Sequence, residues 1–66
     1  MIISRFTEPE LDYFRKTCKF SGDEIFVFEY RSQDIPLKDI AELLNTSLDG
    51  VKKISRRVNY KIIKAL

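Results

Sequence analysis

The sequence predicts an all-α fold, a small four-helix domain that closes with a helix-turn-helix. Apolar residues recur at helical spacing along most of the chain. Helix-start signals precede the apolar runs: Thr7 and Glu10, then Ser21 and Glu24, stand three apart as in a capping box, and Ser47 precedes the last run. Ala41, Asn45, Val51 and Ile54 fall at spacings of four, six and three. Two steeply crossing helices need that pattern. A small residue lets them touch, a residue tolerant of a left-handed backbone makes the turn, and aliphatics line the inner face of the second helix.

Sixty-six residues bound the chain to one domain, 1–66, whose small core must be efficiently filled. A composition of 44% hydrophobic and 33% charged residues favours a folded globule over disorder. No apolar run approaches the length of a membrane span, and Ser4-Arg5 follow Met1-Ile2-Ile3 too closely for a signal-peptide core. A single cysteine, Cys18, has no internal partner, so a reducing cytoplasm is the expected compartment.

Residues 1–6 are short and apolar, and two readings stay open: a flexible arm, or an edge that docks through Ile2, Ile3 and Phe6. The first helix is expected over 7–19. Thr7 caps it, Pro9 is tolerated in its first turn, and Phe6 is placed to staple against Leu11. Leu11, Phe14 and Cys18 make its core stripe. The second helix is expected from Ser21-Gly22-Asp23-Glu24 to about Ser32. Its middle, residues 25–30, is β-branched and aromatic and would also suit a strand. In the helical reading Ile25 and Phe28 face the core. Phe26 and Tyr30 lie off that face, against the first helix or on an association surface. Asp34 is the expected cap of the third helix, whose inner face is Leu37, Ile40, Ala41 and Leu44. Ser47 caps the fourth, expected over 47–63, with Leu48, Val51, Ile54, Val58, Ile62 and Ala65 inward.

The net charge of +2 hides a division. Residues 1–34 carry five basic and seven acidic groups, whereas residues 35–66 carry seven basic and three acidic ones. No acidic side chain follows Asp49. A polyanionic partner for that end is a fair inference; a solvated basic helix face is the plainer one. Catalysis finds little support. Histidine is absent, Gly22 and Gly50 stand alone, and no Cys, Asp or Glu group is spaced for a metal. No cofactor is expected.

The segment from Phe20 to Ile63 resembles the tetrahelical helix-turn-helix shared by LuxR-type regulators and region 4 of bacterial sigma factors. The likeness rests on a helix with Glu24 near its start, an I-A-x-x-L helix (Ile40, Ala41, Leu44) and a serine-capped turn. A V-K opening (Val51, Lys52) and a basic-aliphatic tail (Lys61, Ile62) complete it. It covers about two thirds of the chain, with 21–66 as the shared core and 7–19 as an extra helix. Asn45 stands where Gly is commoner at the turn, and Gly50 where Thr or Ser is usual. The resemblance implies a bacterial or phage regulator of transcription that binds double-stranded DNA, with the 47–63 helix in the major groove.

On that reading Ser47 and the free amides of the helix start meet a phosphate. Lys52, Lys53 and Arg56 reach base edges, Asp49 accepts from a cytosine amino group, and Gly50 lets the backbone approach closely. Arg57, Lys61 and Lys64 serve phosphates, and Lys38 reaches the DNA backbone from the third helix. One such module buries little surface on DNA, so useful specificity needs a dimer or a larger assembly. Tyr60, Ile63 and Leu66 are the candidates for a homodimer contact, or else extend the core. The rival reading is a protein-interaction module that docks on RNA polymerase or on a phage assembly or packaging protein through Phe26 and Tyr30.

Overall fold

The computed structural model describes residues 1–66. A 3-10 turn, Ile3–Arg5, leads into four α-helices: α1 (Glu8–Thr17), α2 (Asp23–Ser32), α3 (Leu37–Leu43) and α4 (Leu48–Ala65). There is no strand. The residues 25–30 form helix because Glu24, Val27, Phe28 and Arg31 then share one face; alternation would have sent Phe28 and Val27 to opposite sides. The buried pair is Val27 and Phe28, with Ile25 only half-buried, so the inward face lies about a quarter of a turn from the expected Ile25/Phe28 face.

The helix α4 is the axis. Its 18 residues span about 27 Å at 1.5 Å each, which accounts for the 29 Å long dimension of the molecule. The helices α1, α2 and α3 all pack on it, and α2 also touches α3. Val51, Val58 and Ile62 of α4 meet Leu11, Phe14, Val27, Phe28, Ile40 and Ala41 in one buried cluster. The sequence stripe needs two amendments. Leu48 is exposed and lies outside the buried cluster, and Ser55 is buried with its hydroxyl accepting from Arg31.

The N-terminal segment docks on the core through Ile3 and Phe6, while Ile2 stays exposed. Ile3 is buried, the turn packs on α2, and Phe6 meets Phe14 edge-on at 4.9 Å. The capping box of α1 is complete: Glu10 N–H donates to Thr7 Oγ1, and Thr7 N–H to Glu10 Oε1 at 2.8 Å. Cys18 closes α1 half-buried, short of the full burial its stripe position predicts. At α2 only half a box forms. Ser21 N–H donates to Glu24 Oε1 at 3.1 Å, but the N-cap is Gly22, whose φ of 56° an L side chain rarely adopts. Asp34 is not the cap of α3. Pro36 holds that position, and Asp34, at φ 63°, instead ends α2. Asp34 N–H donates to Arg31 O and Ile35 N–H to Tyr30 O, the paired bonds of a Schellman motif.

Candidate nucleic-acid interface

The turn between α3 and α4 repeats that motif. Asn45 sits at φ 53°, as its sequence position predicts. Asn45 N–H donates to Glu42 O at 3.1 Å and Thr46 N–H to Ala41 O at 2.9 Å, so these two carbonyls near the end of α3 are satisfied within five residues. The chain then enters α4 at Ser47, whose Oγ accepts from Gly50 N–H at 3.0 Å. A Cβ on Gly50 would stand 3.2 Å from both Ser47 Oγ and Thr46 Oγ1, closer than those hydroxyls comfortably allow. Glycine keeps the turn tight. Ala41 and Val51 are buried and Ile54 half-buried, so the small residue and the aliphatic seam hold the two helices together.

The opposite face of α4 points to solvent. At 100° per residue, Asp49, Lys52, Lys53, Arg56, Arg57, Tyr60, Ile63 and Lys64 fan over one side, away from Val51, Ser55, Val58 and Ile62. All eight are exposed. Lys52, Lys53 and Arg56 make no ion pair, and neither does Lys38 on α3, itself exposed. Asp49 sits in the first turn of α4 without an ionic partner, where its charge suits the helix dipole.

Two of the expected phosphate-binding cations are engaged inside the molecule. Lys61 is turned in, with its ammonium on Glu24 Oε1 and also donating to Lys19 O at 3.4 Å. Arg57 remains exposed, but its Nε lies 3.6 Å from Glu24 Oε2. Glu24 is only 7% exposed. The Lys61 ammonium holds its carboxyl below the usual range; burial opposes this, while the Ser21 amide and Arg57 assist. Lys61 is therefore removed from the expected phosphate set, because a buried carboxylate needs its charge. Lys64 lies over the Tyr60 ring at 5.1 Å, free of acids.

Sequence reasoning missed a second inward cation. Arg31 donates to Ser55 Oγ at 2.7 Å, to Asn59 Oδ1 at 2.6 Å and to Met1 O at 3.3 Å, and burial lowers its pKa. It ties the N-terminal segment and α2 to α4. Its partners lie 24 or more residues away, so no local pattern announced them. Nearby, Arg15 of α1 grips both carboxylate oxygens of Glu29 on α2, at 2.6 and 2.9 Å. Inward cations thus brace the bundle, while Lys38, Lys52, Lys53, Arg56 and Lys64 stay outward and unpaired on α3 and α4, as Arg5 and Lys19 do elsewhere. Tyr60, Ile63 and Leu66 are exposed, so they do not extend the core. No helix is long and apolar enough to cross a membrane.

Comparison with family models, with curated proteins and with solved structures found no match for this chain.

Proposed function

We propose that the protein binds double-stranded DNA with the first half of α4 in the major groove, as a regulator of transcription acting in a reducing cytoplasm. One observation carries the reading. Lys52, Lys53 and Arg56 stand exposed and unpaired on the outward face of a helix whose N-terminus is set by a tight turn. Cations that stabilise a fold find carboxylates, as Lys61 and Arg15 do; these three have none. In this reading Lys52, Lys53 and Arg56 meet base edges and Asp49 accepts from a cytosine amino group. Lys38, Arg57, Ser47 and the free amides at the start of α4 hold phosphates.

Binding to random duplex DNA tests it. With about five phosphates neutralised, log affinity falls against log salt with a slope of roughly −4 to −5. Changing Lys52, Lys53 and Arg56 to Ala reduces that slope by about 2–3. A flat salt response, or unaltered binding by the triple variant, refutes it. The interaction-module reading retains one feature, the exposed Phe26 on α2, since Tyr30 is packed on the core. Undiminished binding of the triple variant to a polymerase or assembly partner would favour that reading.

A further inference from the structure

A cavity of about 210 Å³ opens between the N-terminal segment and the end of α2. Ile2, Ile35, Pro36 and Leu37 give it an apolar lining, and two charged side chains, Arg31 and Asp34, border it. Their charges are opposite, yet they form no ion pair with each other or with any other group. Arg31 is half-buried without an acid beside it, unlike Arg15 and Lys61, whose charges meet carboxylates. A guanidinium has five N–H donors. Ser55, Asn59 and Met1 take three of Arg31's, which leaves two. Asp34 accepts only from the Ser4 hydroxyl, at 3.5 Å, the long limit of a hydrogen bond. Both groups are held in place. The Schellman bonds set the backbone from Arg31 to Ile35, and three hydrogen bonds fix the guanidinium.

The two charges indicate the occupant. A bare anion would be repelled by Asp34, and a bare cation by Arg31. A ligand that carries both charges close together satisfies both. An α-amino acid holds its carboxylate and its ammonium on one carbon, so it bridges two groups that stand too far apart to pair directly. Its side chain then lies against the apolar lining. A void of about 150 Å³ accommodates benzene, whereas drug-sized ligands need about 300 Å³ or more. The volume therefore suits one aliphatic amino acid. We infer that this cavity binds a free aliphatic α-amino acid, with its carboxylate on Arg31 and its ammonium on Asp34.

Asp34 is exposed and the cavity is open on one side, so binding is weak, with a dissociation constant on the order of a millimolar. The ligand joins parts that Arg31 already ties together, the N-terminal segment, α2 and α4. It binds the folded chain alone, because unfolding separates Arg31 from the apolar lining. At about ten times the dissociation constant the melting midpoint rises by roughly 5–10 °C. The site stands apart from the DNA reading, and neither depends on the other.

Titration of the full chain with leucine, read by amide chemical shifts and by thermal melts without DNA, tests the site. Shifts should concentrate at Arg31, Asp34, Ile35 and Leu37. Leucinamide lacks the carboxylate and should bind on the order of tenfold more weakly. The analogue without the ammonium, 4-methylpentanoate, should bind roughly three- to tenfold more weakly. Glycine, which has no side chain, should not saturate. Asp34→Asn keeps a residue that tolerates the left-handed backbone. It should weaken leucine roughly three- to tenfold and leave 4-methylpentanoate as in the native chain, whereas a merely structural Asp34 would move both alike. Absence of shifts at leucine concentrations roughly ten times the expected constant would overturn the site. So would leucinamide or 4-methylpentanoate binding as tightly as leucine, inorganic phosphate binding more tightly, or native leucine affinity in Asp34→Asn. Every readout is free of DNA, so failure here leaves the salt-dependent DNA binding untouched, and loss of that binding leaves the leucine titration untouched.

Discussion

Lys61→Met is the sharpest single perturbation, because it separates folding from binding at a residue that sequence alone assigned to DNA. In the native chain the Lys61 ammonium is held by Glu24, whose side chain is 9% exposed, while that of Lys61 is 30% exposed. Removing Lys61 leaves a buried carboxylate with the Ser21 amide at 3.1 Å and Arg57 at 3.6 Å. Breaking a fully buried pair costs about 3–5 kcal/mol; with Arg57 still near, about 2–3 kcal/mol is expected. At roughly 4–8 °C per kcal/mol for a domain of this size, the midpoint falls by about 10–20 °C. Glu24→Gln should cost less, about 1–2 kcal/mol, since the stranded Lys61 can reach water and the amide oxygen keeps the Ser21 bond. The double variant removes both charges and should return to within about 1 kcal/mol of native, a coupling that a double-mutant cycle reads directly.

The acid limb adds a sign. The carboxyl of Glu24 is lowered by Lys61, so its contribution is present above the unfolded value of about 4.3 and is lost as pH falls through the folded one. Glu24→Gln should lack that part of the acid destabilisation. Thermal and urea melts across pH, paired with DNA titrations across salt, make the assay. Lys61→Met should leave the salt slope unchanged. A slope smaller by about one, or a stability loss below about 0.5 kcal/mol, would show Lys61 working in solvent and refute the inward assignment.

Four further outcomes are expected. Changing Lys52, Lys53 and Arg56 together to Ala should reduce the DNA salt slope by about 2–3, with a melting midpoint near native, because none of the three is paired. Ala41→Leu should cost about 1–3 kcal/mol or more by forcing α3 from α4, visible in urea melts, since Ala41 is 6% exposed. Lys19 ends α1 at φ 51°, so Lys19→Gly should stabilise by a few tenths to about 1 kcal/mol, while Asn45→Val at φ 53° should destabilise by about 1–2 kcal/mol in the same melts.

Much of the fold was written in short-range pattern. Thr7 with Glu10, Ser47 before its helix, and Asn45 at a left-handed turn are satisfied within six residues, so composition and spacing sufficed to find them. The apolar stripe of α4 was legible for the same reason, since helical period alone decides which residues share a face. Two other caps were less legible. Gly22 rather than Ser21, and Pro36 rather than Asp34, took the position, because in each case the neighbour was used by another bond or by a left-handed turn.

The division of the cations belongs to the tertiary structure. Lys61, Arg57 and Lys64 look alike in sequence, yet one is bonded to a buried carboxylate, one lies near it and one lies over a tyrosine. The sequence by itself determined four helices, a turn at Asn45 and a basic outward face, because those follow from backbone preference and periodicity. Only the packing of α2 on α4 decided which charges that face keeps, because Glu24 meets Lys61 across 37 residues of chain and electrostatic pairing depends on distance in space.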